Sequence, residues 1–240
     1  AHDGPERSRA VSRQIGGERV HVHAEGEGEV RERGLQPQGG QGETRAVHAE
    51  GSAEPFHRQS ALLPEGVDFV PGHPMAGREG RGYAMASADI FNGANYILVP
   101  MAGNDEDHIR AVKDMAMALG CSHVVRVTPE DHDRFIAYTS SLPHVLATAL
   151  VNSESMNTLT KYFVAGSFRD GTRVADINAP LWTKLFLSNK DNLLYEINRF
   201  SAALQSFSTM LAEEDAQEMT RFLQQAAMRR RELVHETHSR

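Results

Sequence analysis

Apolar positions divide this chain at about residue 62. Upstream, large aliphatics stand singly (Val11, Ile15, Val20, Val22, Val30, Leu35, Val47), with no sustained period of 2 or 3.6. Such a segment cannot bury enough apolar surface to offset its ordering entropy, so residues 1–61 are expected to be mostly disordered. Downstream the patterning becomes that of a folded protein. Residues 67–70 form a short apolar run that predicts a strand stopping at Pro71-Gly72, and residues 96–99 predict a second strand ended by Pro100. Residues 105–119 read as an amphipathic helix, with acidic side chains at its start and Gly120 just past its end. Residues 123–127 predict a third strand. Strand, strand, helix, strand is the second half of an α/β sheet. After Pro129 the pattern is helical to the end. Leu193, Ile197, Phe200, Leu204, Phe207 and Leu211 recur at spacings of 4, 3, 4, 3 and 4, the seam of a long helix packed against another. Met219, Phe222, Leu223 and Ala226 mark a further helix, expected to end in the basic run of residues 229–231.

Composition narrows the function classes. A formal charge of −7 offers no basic field for nucleic acid. No run of eighteen apolar residues predicts a membrane span, and the polar N-terminus lacks the apolar core of a secretory signal. The single cysteine, Cys121, has no internal disulfide partner, so a reducing cytoplasm is the expected compartment; beside a buried strand it reads as a small core residue. The first sixty residues hold ten of the twenty glycines and no lysine, a bias that sets them apart from the rest.

Three blocks carry candidate chemistry: Gly72-His73-Pro74-Met75-Ala76-Gly77, Ser141-Leu142-Pro143-His144, and Arg169-Asp170-Gly171-Thr172-Arg173. His73 follows an expected strand end, where open α/β sheets present ligand-binding groups. Pro74 keeps it out of the α region, and Gly72 and Gly77 are expected to let the backbone turn tightly. An imidazole accepts a proton near neutral pH; capping the following turn is an equally good reading from spacing alone. Ser141 and Pro143 read as an N-cap and first-turn proline, and a histidine there more often pairs with a neighbouring carboxylate or carbonyl. Arg173 offers a planar, bidentate grip on a carboxylate, against the plainer reading of a surface arginine paired to Asp170 or Asp176. Trp182 reads as a pocket wall or core. His21 and His23 lack a third ligand at metal-site spacing, so no metal is expected. Asp131-His132-Asp133 reads as helix capping after Pro129.

The order and wording of the three blocks resemble the prephenate dehydrogenase family, over residues from about 63 to the C-terminus. The resemblance implies a partial Rossmann-like dinucleotide-binding domain over residues 62–128 and an all-helical dimerisation and substrate domain over residues 129–240. It implies oxidative decarboxylation of prephenate or arogenate with NAD or NADP, in a homodimer. His73 would be the catalytic base, with Arg173 and His144 binding substrate and Arg169, Asp170 and Thr172 shaping the pocket. One part is missing. Gly26-Glu27-Gly28 lacks a third glycine, and Gly39-Gly40-Gln41-Gly42 follows no strand, so no Gly-x-Gly-x-x-Gly turn opens a nucleotide fold. The Arg, Gly, Ala, His and Glu bias upstream suits GC-rich coding read in another frame, so the true nucleotide-binding half is expected to have been lost or frame-shifted. The rival expectation is a non-catalytic dimerisation or ligand-binding module unable to hold the cofactor.

Overall fold

A computed structural model describes residues 63–64, 66–77 and 87–235, with three upstream strands: β1 (Val11–Ile15), β2 (Glu18–His23) and β3 (Thr44–Val47). These strands share one sheet, β1 antiparallel to β2 and β2 parallel to β3. Val20 and Val22 alternate with Arg19, His21 and His23, a period of 2 too brief to stand out as a pattern. The remainder of residues 1–61 lies outside the described residues. The chain divides into two compact units, Ala1–Lys190 and Asp191–Arg240.

The first unit contains a second sheet, ordered β4 (Gly72–Pro74), β5 (Asn95–Leu98) and β6 (His123–Arg126). β4 runs antiparallel to β5, placing His73 opposite Ile97, and β5 runs parallel to β6. A parallel pair needs a crossover, and α1 (Glu106–Ala118) supplies it. The result is a partial Rossmann-like layer. Residues 67–70 do not make the expected strand; Phe69 forms only an isolated bridge. Pro71 has no N–H to donate. Its carbonyl accepts from the Val99 N–H at 3.0 Å, and the ladder starts one residue later. Gly72 therefore lies in a strand rather than a tight turn. Glycine is required there because a Cβ would collide with the Tyr96 ring.

Burial follows periodicity. Tyr96 and Leu98 face Ile109, Val112, Met115 and Ala116 of α1, with Val70 and Cys121 completing the cluster. The other strand face packs Phe69 and Val99 with Ile97, Met101 and Val127. Asp105 caps α1 by accepting from the Asp107 N–H, and Gly120 turns the chain out at φ +100°.

Beyond β6, α2 (Pro129–Ile136), a π turn (Ala137–Ser141) and α3 (Leu142–Val151) run as one continuous helical stretch. Ser141 is thus not an N-cap: it is helical and makes no capping bond. Pro143 can neither donate to the carbonyl four residues back nor tolerate its approach, and a widened π turn relieves both conflicts. α4 (Gly166–Thr172) leads into a 3₁₀ turn, Arg173–Ala175, and α5 (Ala179–Ser188) follows, capped by Asn178. In the second unit, α6 (Lys190–Ala212) and α7 (Ala216–His235) meet through Phe207 and Phe222, whose ring centroids lie 5.6 Å apart. α7 continues through the basic run to His235 rather than ending there. No described helix is long and apolar enough to cross a membrane.

Candidate active site

β4 and α2 meet at two histidines. Pairing with Ile97 holds His73 at the sheet edge, half-buried. Its Nδ1 lies 2.9 Å from His132 Nε2, with ring centroids 5.2 Å apart. His132 is 2% exposed, and its Nδ1 lies 2.9 Å from Asp133 Oδ1. The backbone carbonyl of Asp133 accepts from the buried Asn189 side chain at 2.7 Å, which ties the end of α5 to α2. Two nitrogens of imidazole chemistry and one carboxylate therefore stand in line behind the half-exposed His73 ring.

From the chain alone, Asp131-His132-Asp133 reads as helix capping. The helix start is where it was expected, but Thr128 makes the cap, accepting from the Asp131 N–H at 3.1 Å. His132 points inward instead. The missed signal was its spacing to Ile136: four residues apart, the two form the buried stripe of α2.

His144 is half-buried on the first turn of α3, and its Nδ1 donates to the Ser140 carbonyl at 2.8 Å. That carbonyl partner is what its spacing alone favoured. Its ring also stacks on Trp182, centroids 3.7 Å apart and planes 28° from parallel, and Trp182 in turn meets Phe186. With Nδ1 donating to Ser140, the neutral His144 ring carries its lone pair on Nε2. α3 packs against α4 and against the 3₁₀ turn that carries Arg173, so His144 and Arg173 sit on adjoining elements. Arg169, Asp170 and Arg173 are exposed. Thr172 is half-buried and its hydroxyl donates to the Phe168 carbonyl at 2.7 Å, so it braces α4.

A dinucleotide pyrophosphate needs open N–H groups at a strand-to-helix turn. The turn between β5 and α1 does not fit. Asp68 accepts from the Asp105 N–H at 2.9 Å, Asp105 accepts from the Asp107 N–H at 2.7 Å, and Glu106 adds a further negative charge. Among the described residues no glycine-rich turn replaces it. No group of three or more His, Cys, Asp or Glu side chains among the described residues could hold a metal ion; the side chains of His21 and His23 lie outside them.

Residues 52–125 match the model of the prephenate dehydrogenase nucleotide-binding domain, and residues 128–225 that of the prephenate dehydrogenase dimerization domain. The chain is similar to the prephenate dehydrogenase of Bacillus subtilis (strain 168). The two are 34% identical over 169 residues, covering 69% of this chain and 45% of that protein. With the cyclohexadienyl dehydrogenase of Zymomonas mobilis it shares 35% identity over 158 residues, covering 64% of this chain and 53% of that protein. Among solved structures, Synechocystis arogenate dehydrogenase superposes with a TM-score of 0.69 at 25% identity, over 80% of this chain and 69% of that one. Prephenate dehydrogenase from Aquifex aeolicus, in complex with hydroxyphenyl propionate and NAD+, gives 0.67 at 29% identity, over 80% and 66%. The chain spans about half the length of the curated relatives it matches.

Proposed function

The chain belongs to the prephenate dehydrogenase family, and from that premise we propose that it converts prephenate to 4-hydroxyphenylpyruvate and carbon dioxide in tyrosine biosynthesis. The observation that carries the reading is the His73 imidazole, half-buried at the sheet edge and bonded to a buried histidine of the helical part. The reaction would need a hydride acceptor such as the NAD+ that the Aquifex prephenate dehydrogenase structure holds. His73 takes the proton of the C4 hydroxyl as that carbon is oxidised. The electrons of the broken bond to the ring carboxylate then complete the aromatic ring, and the proton returns to the phenolic oxygen. Aromatisation makes the step downhill, so the protein's task is orientation and proton acceptance. Arg173 pairs with a substrate carboxylate, His144 offers Nε2 to the substrate from its stack on Trp182, and Arg169 and Asp170 flank the anion site with Thr172 bracing them.

The chain acts in the cytoplasm as a homodimer, a reading supported by the dimerization-domain match and by the exposed apolar side chains of α6 and α7. Prephenate with NAD is the favoured pair; arogenate and NADP are the alternatives an assay separates. The absence of a pyrophosphate cradle among the described residues favours a second reading, a dimerisation or ligand-binding module. Titration with reduced dinucleotide, followed by fluorescence, distinguishes them: saturable binding supports the enzyme, and none at millimolar dinucleotide supports the module.

Paired substitutions test the roles. His73→Asn keeps a hydrogen-bonding amide but no base near neutral pH, so turnover falls by roughly 10² to 10⁴ with the Michaelis constant little changed. Arg173→Gln chiefly raises the Michaelis constant, because its bonds serve bound substrate and transition state alike. The opposite pattern, turnover intact in His73→Asn and abolished at saturating substrate in Arg173→Gln, overturns the assignment.

A further inference from the structure

We infer that His132 and Asp133 are positioning residues that fix the His73 ring in the one tautomer able to accept a proton from substrate. The inference rests on reading His73 as the base, and the geometry gives it a direction. An ionised carboxylate only accepts hydrogen bonds. Asp133 Oδ1, 2.9 Å from His132 Nδ1, therefore places the His132 proton on Nδ1. A neutral imidazole carries one N–H, so His132 Nε2 is left as an acceptor. His73 Nδ1, 2.9 Å from that Nε2, must then be the donor. His73 Nε2 keeps its lone pair.

Each bond in the chain dictates the next, and each member is held. His132 is 2% exposed, so water does not compete for its nitrogens. The Asn189 amide bonds the Asp133 carbonyl at 2.7 Å and holds the first turns of α2 in place. When His73 Nε2 takes up a proton, its Nδ1–H already points at an acceptor backed by a carboxylate, and no group has to turn. A purely structural histidine at position 132 would need its two bonds satisfied in either order. The carboxylate removes that freedom.

The full-length chain, labelled with ¹⁵N at histidine, tests this by long-range ¹H–¹⁵N NMR at about pH 8, where an ordinary imidazole of pKa about 6.5 is neutral. The His73→Gln spectrum identifies the His73 signals. The expected wild-type result is His73 protonated at Nδ1 alone and His132 protonated at Nδ1 alone. Asp133→Asn lets the amide donate to His132 and reverse the chain, and His132→Phe removes the acceptor. In both variants His73 gains protonation at Nε2, while the signals of His108 on α1, set by its Asp68 partner, stay put and report an intact fold. A wild-type His73 protonated at Nε2, a doubly protonated His132, or an unaltered His73 tautomer in either variant overturns the inference. This readout needs no turnover, so it stands apart from the proposed activity. Where turnover is measured, Asp133→Asn lowers kcat by at least about ten-fold at nearly constant KM, up to the roughly 10⁴-fold that a wrong histidine tautomer costs a serine protease.

Discussion

The α/β layer of the first unit and the helix pair of the second treat their apolar side chains in opposite ways. Around α1, Val112 and Ala116 are 0% exposed and Leu98 is 2% exposed. On α6 and α7, Leu204 and Leu211 are each 59% exposed, Leu223 58% and Leu233 72%, while Leu193 is buried. Both stretches carry regular apolar periodicity. The difference lies in what the chain provides to cover it: α1 has a sheet face, whereas the seam of α6 spends Phe207 on Phe222 and leaves Phe200, Leu204 and Leu211 outward. Periodicity thus reports that a face wants burial, and the fold decides whether the burying surface belongs to the same unit. An uncovered stripe of this kind marks an association surface, as the proposed homodimer requires.

The sharpest way to break the contrast is one charge placed in each region. Val112→Asp puts an unpaired carboxylate where no water reaches, a change of the exceptional class above about 4 kcal/mol. The cooperative thermal transition is expected to vanish. Leu204→Asp leaves that transition within a few degrees of the wild type but converts a dimer to a monomer in light scattering at tens of micromolar. A dimer that survives Leu204→Asp contradicts the role given to the outward seam.

Two smaller effects sharpen the picture of the α/β layer. Burial, with the nearby Cys121 charge adding to it, pushes the Tyr96 phenol above its ordinary value. The folded value then exceeds the unfolded one, so the contribution is whole below about pH 10 and is lost as pH rises beyond it. Tyr96→Phe should flatten that alkaline decline in urea midpoints, and an unchanged slope would locate the decline elsewhere. At Asp68, burial pushes the carboxyl up. The Asp105 N–H and the His108 and Asn104 side chains outweigh it and hold the group below its ordinary range. Its contribution is present above about pH 4 and lost as pH falls through the folded value. Asp68→Asn should therefore cost about 1 kcal/mol or less at pH 7 and almost nothing at pH 2, read from denaturant curves. A cost that grows toward pH 2 has the wrong sign for this account.

Much of the layer was legible because its signals are local. The α1 helix, its Asp105 cap and the Gly120 exit are written within a single stretch of chain, and the strands on either side of it, β5 and β6, fall within a residue of the expected 96–99 and 123–127. Failures came where a distant partner decides. Within residues 67–70, Phe69 and Val70 are buried, yet the ladder forms at Gly72–Pro74, because the register with β5 is set across the sheet. Ser141 has the appearance of a cap, but α2 arrives from behind it and continues through a π turn. His132 is the instructive case. An acidic neighbourhood after a proline reads as capping from the chain alone, and only β4, fifty-nine residues away in sequence, reveals its second bond.

The proposed activity faces its most direct test in one steady-state measurement. The purified chain is given prephenate and NAD, and 4-hydroxyphenylpyruvate is quantified beside the reduced dinucleotide, with His73→Asn run in parallel. The account predicts the two products in equal amounts from the wild-type chain and a rate lower by roughly 10² to 10⁴ from the variant. Equal rates from the two proteins, or no product from a wild-type chain that binds dinucleotide, would contradict it.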